Sequence, residues 1–219
     1  MKAWLRVTLL VLTVVSTAAQ AQSASRAGKW EFTLQPQYVH GTSFDTGHGS
    51  GGQVDSALGF GFGVAYNLNR NFQLGGDFFW NQASYRATQS DANTGAPLTG
   101  NGTLSTSTIR FSGVWNMLDS DFTPLAMVGI GSTYVDTNIP SAPPTNSCWW
   151  DPWWGYYCGT YYPTRYAYYV SYSAGLGARW DIDRNVFVRA MAIRQYLDAS
   201  GSIGNIHTDQ YRIDVGFKF

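Results

Sequence analysis

The sequence predicts an all-β chain closed into one eight-stranded antiparallel transmembrane β-barrel. Three observations carry this. Charged residues make up 13% of the 219 residues and aromatics 16%, too little solvating side chain to cover a water-facing domain. Eight segments alternate large apolar residues with small or polar ones at a period of two, the spacing of the two faces of a strand. The connections between those segments alternate short and long. Lys2, Lys29, Lys218 and Glu31 are the whole supply of lysine and glutamate.

The first strand sets Trp30, Phe32, Leu34 and Tyr38 against Glu31, Thr33, Gln35 and Gln37. The second sets Leu58, Phe60, Phe62, Val64, Tyr66 and Leu68 against Gly59, Gly61, Gly63, Ala65 and Asn67. The third sets Phe72, Leu74, Phe78 and Trp80 against Gln73, Gly75, Asp77 and Asn81, and the fourth sets Ile109, Phe111 and Trp115 against Thr108, Arg110, Ser112 and Asn116. The fifth, from Pro124 to about Val135, sets Ala126, Val128, Ile130 and Tyr134 against Gly129, Gly131 and Thr133. The sixth sets Tyr166, Tyr168, Val170, Tyr172, Leu176 and Trp180 against Ser171, Ser173, Gly175, Gly177 and Arg179. The seventh, Val186 to about Leu197, has apolar residues on both faces and is placed with Arg189 inward. The eighth alternates without error: Tyr211, Ile213, Val215, Phe217 and Phe219 against Gln210, Arg212, Asp214, Gly216 and Lys218.

A face of large residues opposite one of glycine, serine and charge suits a small barrel, where the apolar face meets lipid and the lumen is just wide enough for side chains to fill. Gly59, Gly61, Gly63, Gly175 and Gly177 are expected to make room for long inward arginines. Asn69 to Asn71, Leu118 to Asp121 and Asp181 to Asn185 read as tight turns. About 41–54, 90–103, 136–164 and 198–207 read as four long polar loops, with 90–103 a plain mobile loop. Short turns belong on the periplasmic side and long loops outside the cell.

The N-terminus is set apart. Lys2 and Arg6 precede an apolar run from Leu9 to Val15, and Ala19-Gln20-Ala21 is a small-residue cleavage pattern. This reads as a secretory signal peptide over 1–21, leaving 22–219 as the barrel domain. Beyond residue 21 no stretch of about 18 apolar residues offers a spanning helix. Losing Lys2 and Arg6 leaves 12 basic against 14 acidic residues, so no positive field points to nucleic acid.

Three pieces of the chain carry a family resemblance. Tyr211 to Phe219 looks like the C-terminal signature of the eight-stranded outer-membrane barrels, namely the OmpA transmembrane domain, OmpX and the opacity-type adhesins. Thr123-Pro124-Leu125-Ala126-Met127-Val128-Gly129-Ile130-Gly131 resembles their fifth strand, and Val186 to Ala190, with Arg189, their seventh. The resemblance implies the bacterial outer membrane, contact with its lipid and lipopolysaccharide, a monomer, and an assembly machinery that reads Tyr211, Phe217 and Phe219. The family often places an inward Glu two residues after its arginine. Met191 stands there, so that ion pair does not carry over.

Glu31, Asp77, Arg110, Arg179, Arg189, Arg212, Asp214 and Lys218 are expected inward, as a selectivity network or, in so narrow a bore, as a structural plug. Cys148 and Cys158, the only cysteines, are expected to be disulfide-bonded because export passes through an oxidising compartment. With two thiols and no nearby histidine they are not read as a metal site, and no cofactor is implied. Trp149, Trp150, Trp153, Trp154, Tyr156 and Tyr157 lie inside that ring. They read either as an exposed recognition surface for an unknown ligand or as an extension of the interfacial aromatic girdle. No catalytic set stands out; Ser43 near His40 is a loose pairing. The sequence therefore points to a non-enzymatic barrel, structural or binding through its outer loops. A narrow channel for small or apolar solutes is the alternative, and a lipid-modifying enzyme a distant third.

Overall fold

Alternation at a period of two becomes a closed ring once the first strand can reach the last. The computed structural model describes residues 26–47, 50–90, 97–140, 143, 145–153, 155–161, 164–198 and 206–219; the expected signal peptide lies outside them. The strands are β1 (Trp30–Leu34), β2 (Gln37–Val39), β3 (Thr42–Gly47), β4 (Ser50–Val54), β5 (Ala57–Asn67), β6 (Phe72–Ser90), β7 (Pro97–Asn116), β8 (Phe122–Pro140), β9 (Thr145–Asp151), β10 (Gly155–Tyr161), β11 (Thr164–Asp181), β12 (Val186–Asp198) and β13 (Ile206–Lys218).

β5, β6, β7, β8, β11, β12 and β13 pair antiparallel in that order. The eighth member is the composite of β1 and β2, which pairs with β5 on one side and β13 on the other. Pro36, which has no N–H, divides it. The ladder continues past the proline on both sides: Gln35 N donates to Gly61 O (2.8 Å) and Ile213 N to Pro36 O (3.1 Å). At the bottom Trp30 and Phe219 exchange backbone bonds of 3.0 Å each. Closure matters because an unpaired amide in hydrocarbon costs several kcal/mol.

The faces fall as expected. The large residues expected to face lipid stand outside, most of them exposed, Tyr211, Phe217 and Phe219 among them, while Glu31, Thr33, Gln35, Gln37, Asn67, Gln73, Asn116 and Arg179 are buried inside. The three short turns sit at one end with both ends of the barrel. The long connections sit at the other, and the described parts of the first three are largely strand, while most of the fourth, 199–205, lies outside the described residues. β3 and β4 form a hairpin over 42–54. Residues 97–103, expected as plain loop, continue β7 in register with β6 as far as Pro97–Ser90. β6, β7, β8 and β11 run 19, 20, 19 and 18 residues, against the roughly 9–11 that cross a bilayer. About half of that length would be left over beyond a bilayer, standing as a wall.

The lumen is not wholly polar. Val114, Leu125, Met127, Met191 and Ile193 form a buried apolar patch on β7, β8 and β12, and Phe79 and Phe187 are buried inside as well. The apolar residues on both faces of the seventh segment are thereby explained, since its inner face packs this patch. The inward glycines also differ from expectation. Those named make room chiefly for partners other than arginine: a Cβ on Gly63 would meet Asp77 and Gln35, on Gly61 the Phe79 ring, on Gly175 Ile193, and on Gly177 Met191. Among the described glycines Gly129 is the one whose Cβ would meet an arginine side chain, that of Arg110.

Gly216 is the tightest case. A Cβ there would lie 2.1 Å from the Phe187 ring, which is 0% exposed and has the guanidiniums of Arg179 and Arg189 at 3.9 and 5.7 Å. The ring has nowhere to go. Gly216→Ala should therefore destabilise the barrel by about 1–3 kcal/mol through overpacking, read as a lower urea midpoint of the folded band on unheated gels. A midpoint equal to wild type would show that Phe187 is free to move.

Candidate functional site

The plug begins at the short-turn end. Glu31 on β1 and Arg179 on β11 face each other across the lumen as a bidentate pair, Arg179 Nη2 donating to Glu31 Oε1 (2.7 Å) and Nη1 to Oε2 (3.0 Å). Asn67 Nδ2 donates to the same carboxylate at 2.9 Å, and Gln73 also donates to it. Arg179 reaches Asp181, two residues along the same strand, at 2.9 Å. Asp181 also receives Lys218 Nζ at 2.9 Å and has Arg26 Nε at 3.4 Å. Arg26, just ahead of β1, donates to the turn carbonyls of Leu118 (3.3 Å) and Ser120 (2.8 Å) and so covers the end of the bore.

A second tier lies above. Arg189 Nε donates to Asp214 Oδ2 at 2.6 Å, from directly opposed positions of β12 and β13. Arg189 Nη1 donates to Gln73 (2.9 Å) and ties the tiers together. Arg212 lies 2.8 Å from Asp214 and 3.7 Å from Asp77. Asp77 also has Arg110 at 3.4 Å and accepts from Gln35 Nε2 at 2.8 Å. Arg212 Nη2 donates to the sulfur of Met191 (3.3 Å). Above the tier the Phe79 ring faces Arg110 and Arg212, with guanidinium carbons 4.6 and 5.3 Å from its centroid.

All eight charged residues expected inward are buried here. Six cations meet four carboxylates among the described residues, and the Phe187 and Phe79 rings take up part of the cationic excess. Sequence reasoning missed Asp181, Arg26, Phe79 and Phe187. Asp181 has the parity of Arg179 and was legible had the sixth strand been carried one residue further. Arg26 precedes any periodic segment. Arg189 finds Asp214 across the strand instead of a glutamate on its own strand.

The second feature is the hairpin of β9 and β10, a separate two-stranded sheet at the outer end. Cys148 and Cys158 oppose each other in register and are disulfide-bonded, as expected from compartment. On the same face Thr160 Oγ1 donates to Asn146 Oδ1 (2.9 Å) on one side of the bond, and Trp150 opposes Tyr156 on the other. The turn forms because Trp153 N donates to Asp151 Oδ1 (2.8 Å) and Gly155 takes φ 75°, a left-handed conformation that favours glycine. Trp150, Trp153 and Tyr156 are 67%, 84% and 73% exposed. Trp149 opposes Tyr157 in the ladder, and Trp154 lies outside the described residues.

A ring of eight antiparallel strands, apolar outside and ion-paired within, with aromatic side chains around its short-turn end, is the architecture of a transmembrane barrel. The sequence model of the family described as outer membrane protein beta-barrel domain matches residues 7–219. The chain belongs to this family. Its place is the bacterial outer membrane, with the short turns in the periplasm and the β9–β10 hairpin outside the cell. Among solved structures, neisserial surface protein A matches with a TM-score of 0.53 at 12% identity, over 86% of this chain and 97% of that one. The N-terminal β-barrel domain of Pseudomonas aeruginosa OprF matches with a TM-score of 0.50 at 13% identity, over 88% and 98%. At these identities the likeness concerns the fold alone. No curated protein matches the sequence.

The fully buried Glu31–Arg179 pair gives this barrel a specific sensitivity. Arg179→Met strands a carboxylate in a sealed lumen and should cost about 3–5 kcal/mol, whereas adding Glu31→Gln removes the orphaned charge and should restore most of the loss. Urea unfolding of the refolded variants in micelles checks this. Equal losses in the single and double variants would show that the charges are not sealed from water.

Proposed function

We propose that the protein is a non-enzymatic surface-binding barrel: the plugged lumen is a rigid base, and the β9–β10 hairpin presents an aromatic face to a partner outside the cell. The observation that carries this reading is the exposure of Trp150, Trp153 and Tyr156 on a hairpin clamped by Cys148–Cys158. Large exposed aromatics on a soluble-facing element favour association, because they bury much area with little side-chain entropy to lose. They stand on a separate sheet beyond the strands that line the membrane, which favours recognition over an interfacial girdle. The girdle has residues of its own at the outer edge of the lipid face: Tyr134, Tyr166 and Tyr168, with ring centroids 5.0 to 6.3 Å apart. The outward pair Arg194–Asp209 at 2.7 Å lies lower on the wall, level with Ala174 of β11, a charged spot suited to contact lipopolysaccharide.

The disulfide closes a ring with a separation of 10 residues. In the chain-entropy model such a ring restricts the reduced hairpin by roughly 2–3 kcal/mol, so the bond pre-organises the binding face without bearing on the barrel's hydrogen-bonded ring. Reduction should leave the heat-dependent gel shift intact and raise the quenching of Trp fluorescence by acrylamide. On immobilised glycans and lipopolysaccharide, wild-type protein in nanodiscs should bind, and W150A/W153A/Y156A should lose at least ten-fold in affinity while staying folded. A folded triple variant that binds like wild type, or Trp emission already shielded by lipid, would contradict the recognition surface.

A further inference from the structure

Above the plug the lumen opens into a chamber of about 260 Å³ that the ionic network does not fill. Phe79 is its floor, and the guanidiniums of Arg110 and Arg212 lie against that ring. Its walls are mainly apolar, with Val39, Ala83, Leu104, Val135, Leu197 and Ile206 among them. The charged or titratable side chains that line it, tyrosines aside, are His40 and Asp55, both exposed.

The polar groups of the wall are largely used up by one another. Gln210 Nε2 donates to Gln195 Oε1 (2.5 Å), Gln195 Nε2 to Thr133 Oγ1 (3.0 Å), and Thr133 shares a 2.9 Å hydrogen bond with Thr108. Thr106 donates to Asn81. Gln37 is different. It lines the chamber, is 4% exposed, and its Oε1 is a buried acceptor without a partner among the described residues. A buried acceptor left unpaired is costly, of order 1–3 kcal/mol, and a group with that need in a chamber whose exposed surface is mainly apolar is what a ligand site looks like.

We propose that this chamber binds a small, uncharged, largely apolar molecule that donates one hydrogen bond to Gln37 Oε1. Its volume lies between the roughly 150 Å³ cavity that takes up benzene and the several-hundred-Å³ sites of drug-sized ligands, which suits about one ring with a short substituent. A charged ligand would find no counter-ion on these walls short of the rim, and the floor closes the path to the periplasm. The site is therefore for binding, and it is independent of the β9–β10 hairpin.

The test uses the mature chain refolded into lipid nanodiscs, titrated with para-fluorobenzyl alcohol and with para-fluorotoluene and followed by fluorine NMR. Empty nanodiscs supply the reference for partition into lipid. Wild-type protein should add a saturable component to both titrations. Ala83→Trp should abolish it by filling the chamber, and Leu104→Trp provides the same test should the first variant fail to show the folded gel band. Gln37→Leu should weaken the alcohol about three- to ten-fold, the worth of one hydrogen bond, and leave the toluene unchanged. W150A/W153A/Y156A should bind both probes like wild type. Uptake by wild type no different from empty nanodiscs, or saturable binding that survives in folded filled variants, would overturn the site. Equal weakening of both probes by Gln37→Leu would overturn the hydrogen bond.

Discussion

A backbone amide facing hydrocarbon has no water to turn to, and the rest of this structure follows from that. With no helix of spanning length among the described residues, the strands must satisfy one another, and the last must find the first. Trp30 and Phe219 make the final exchange. Closing after eight strands sets a bore that side chains can fill, so whatever points inward must pack and must have its charge met. Glu31, Arg179 and Asp181 at one level and Asp77, Arg189, Arg212 and Asp214 at the next do so as a connected network. Removing a single partner is more costly than removing a pair, because what remains is a charge in a sealed interior.

Much of this was legible in the sequence, because the alternation of a strand is written directly into it. In β13 the parity of Tyr211, Ile213, Val215, Phe217 and Phe219 fixes the lipid face, and Arg212, Asp214 and Lys218 fall inward as a consequence. The inward apolar residues were harder to place. Leu125, Met127, Met191 and Ile193 look lipid-facing by type and are lumenal by parity, and type and parity agree only where the lumen is polar. Their packing, with Val114, depends on three strands meeting at one level, which is a matter of register. Register also decides that Arg189 meets Asp214 and that Phe187 fits over Gly216. The outer strands were misread for a related reason: 97–103 is rich in glycine, threonine and asparagine, the composition of a loop, yet it is paired on β6. Arg26 had no pattern to announce it.

The outcome is a division along the barrel axis. The periplasmic half is packed, holding both ionic tiers and the apolar patch around Val114, Leu125 and Met127, with glycines admitting the bulk of Phe187, Asp77 and Phe79. The outer half is apolar and roomy, walled by strands about twice the length the bilayer requires, and it carries the clamped aromatic hairpin above. Phe79 is the boundary, with guanidiniums on one side and the chamber on the other. A barrel built this way has its bore filled by side chains at one end and open space at the other. The proposed recognition surface and the chamber both lie at the outer end.

Single-channel recording from purified wild-type protein in planar bilayers tests that division most directly. If the two ionic tiers close the bore, the current should stay at baseline at neutral pH, apart from brief small events, even under sustained voltage. Stable, reproducible conductance steps from the wild-type barrel would mean that the plug opens under ordinary conditions, and that the lumen is a pathway.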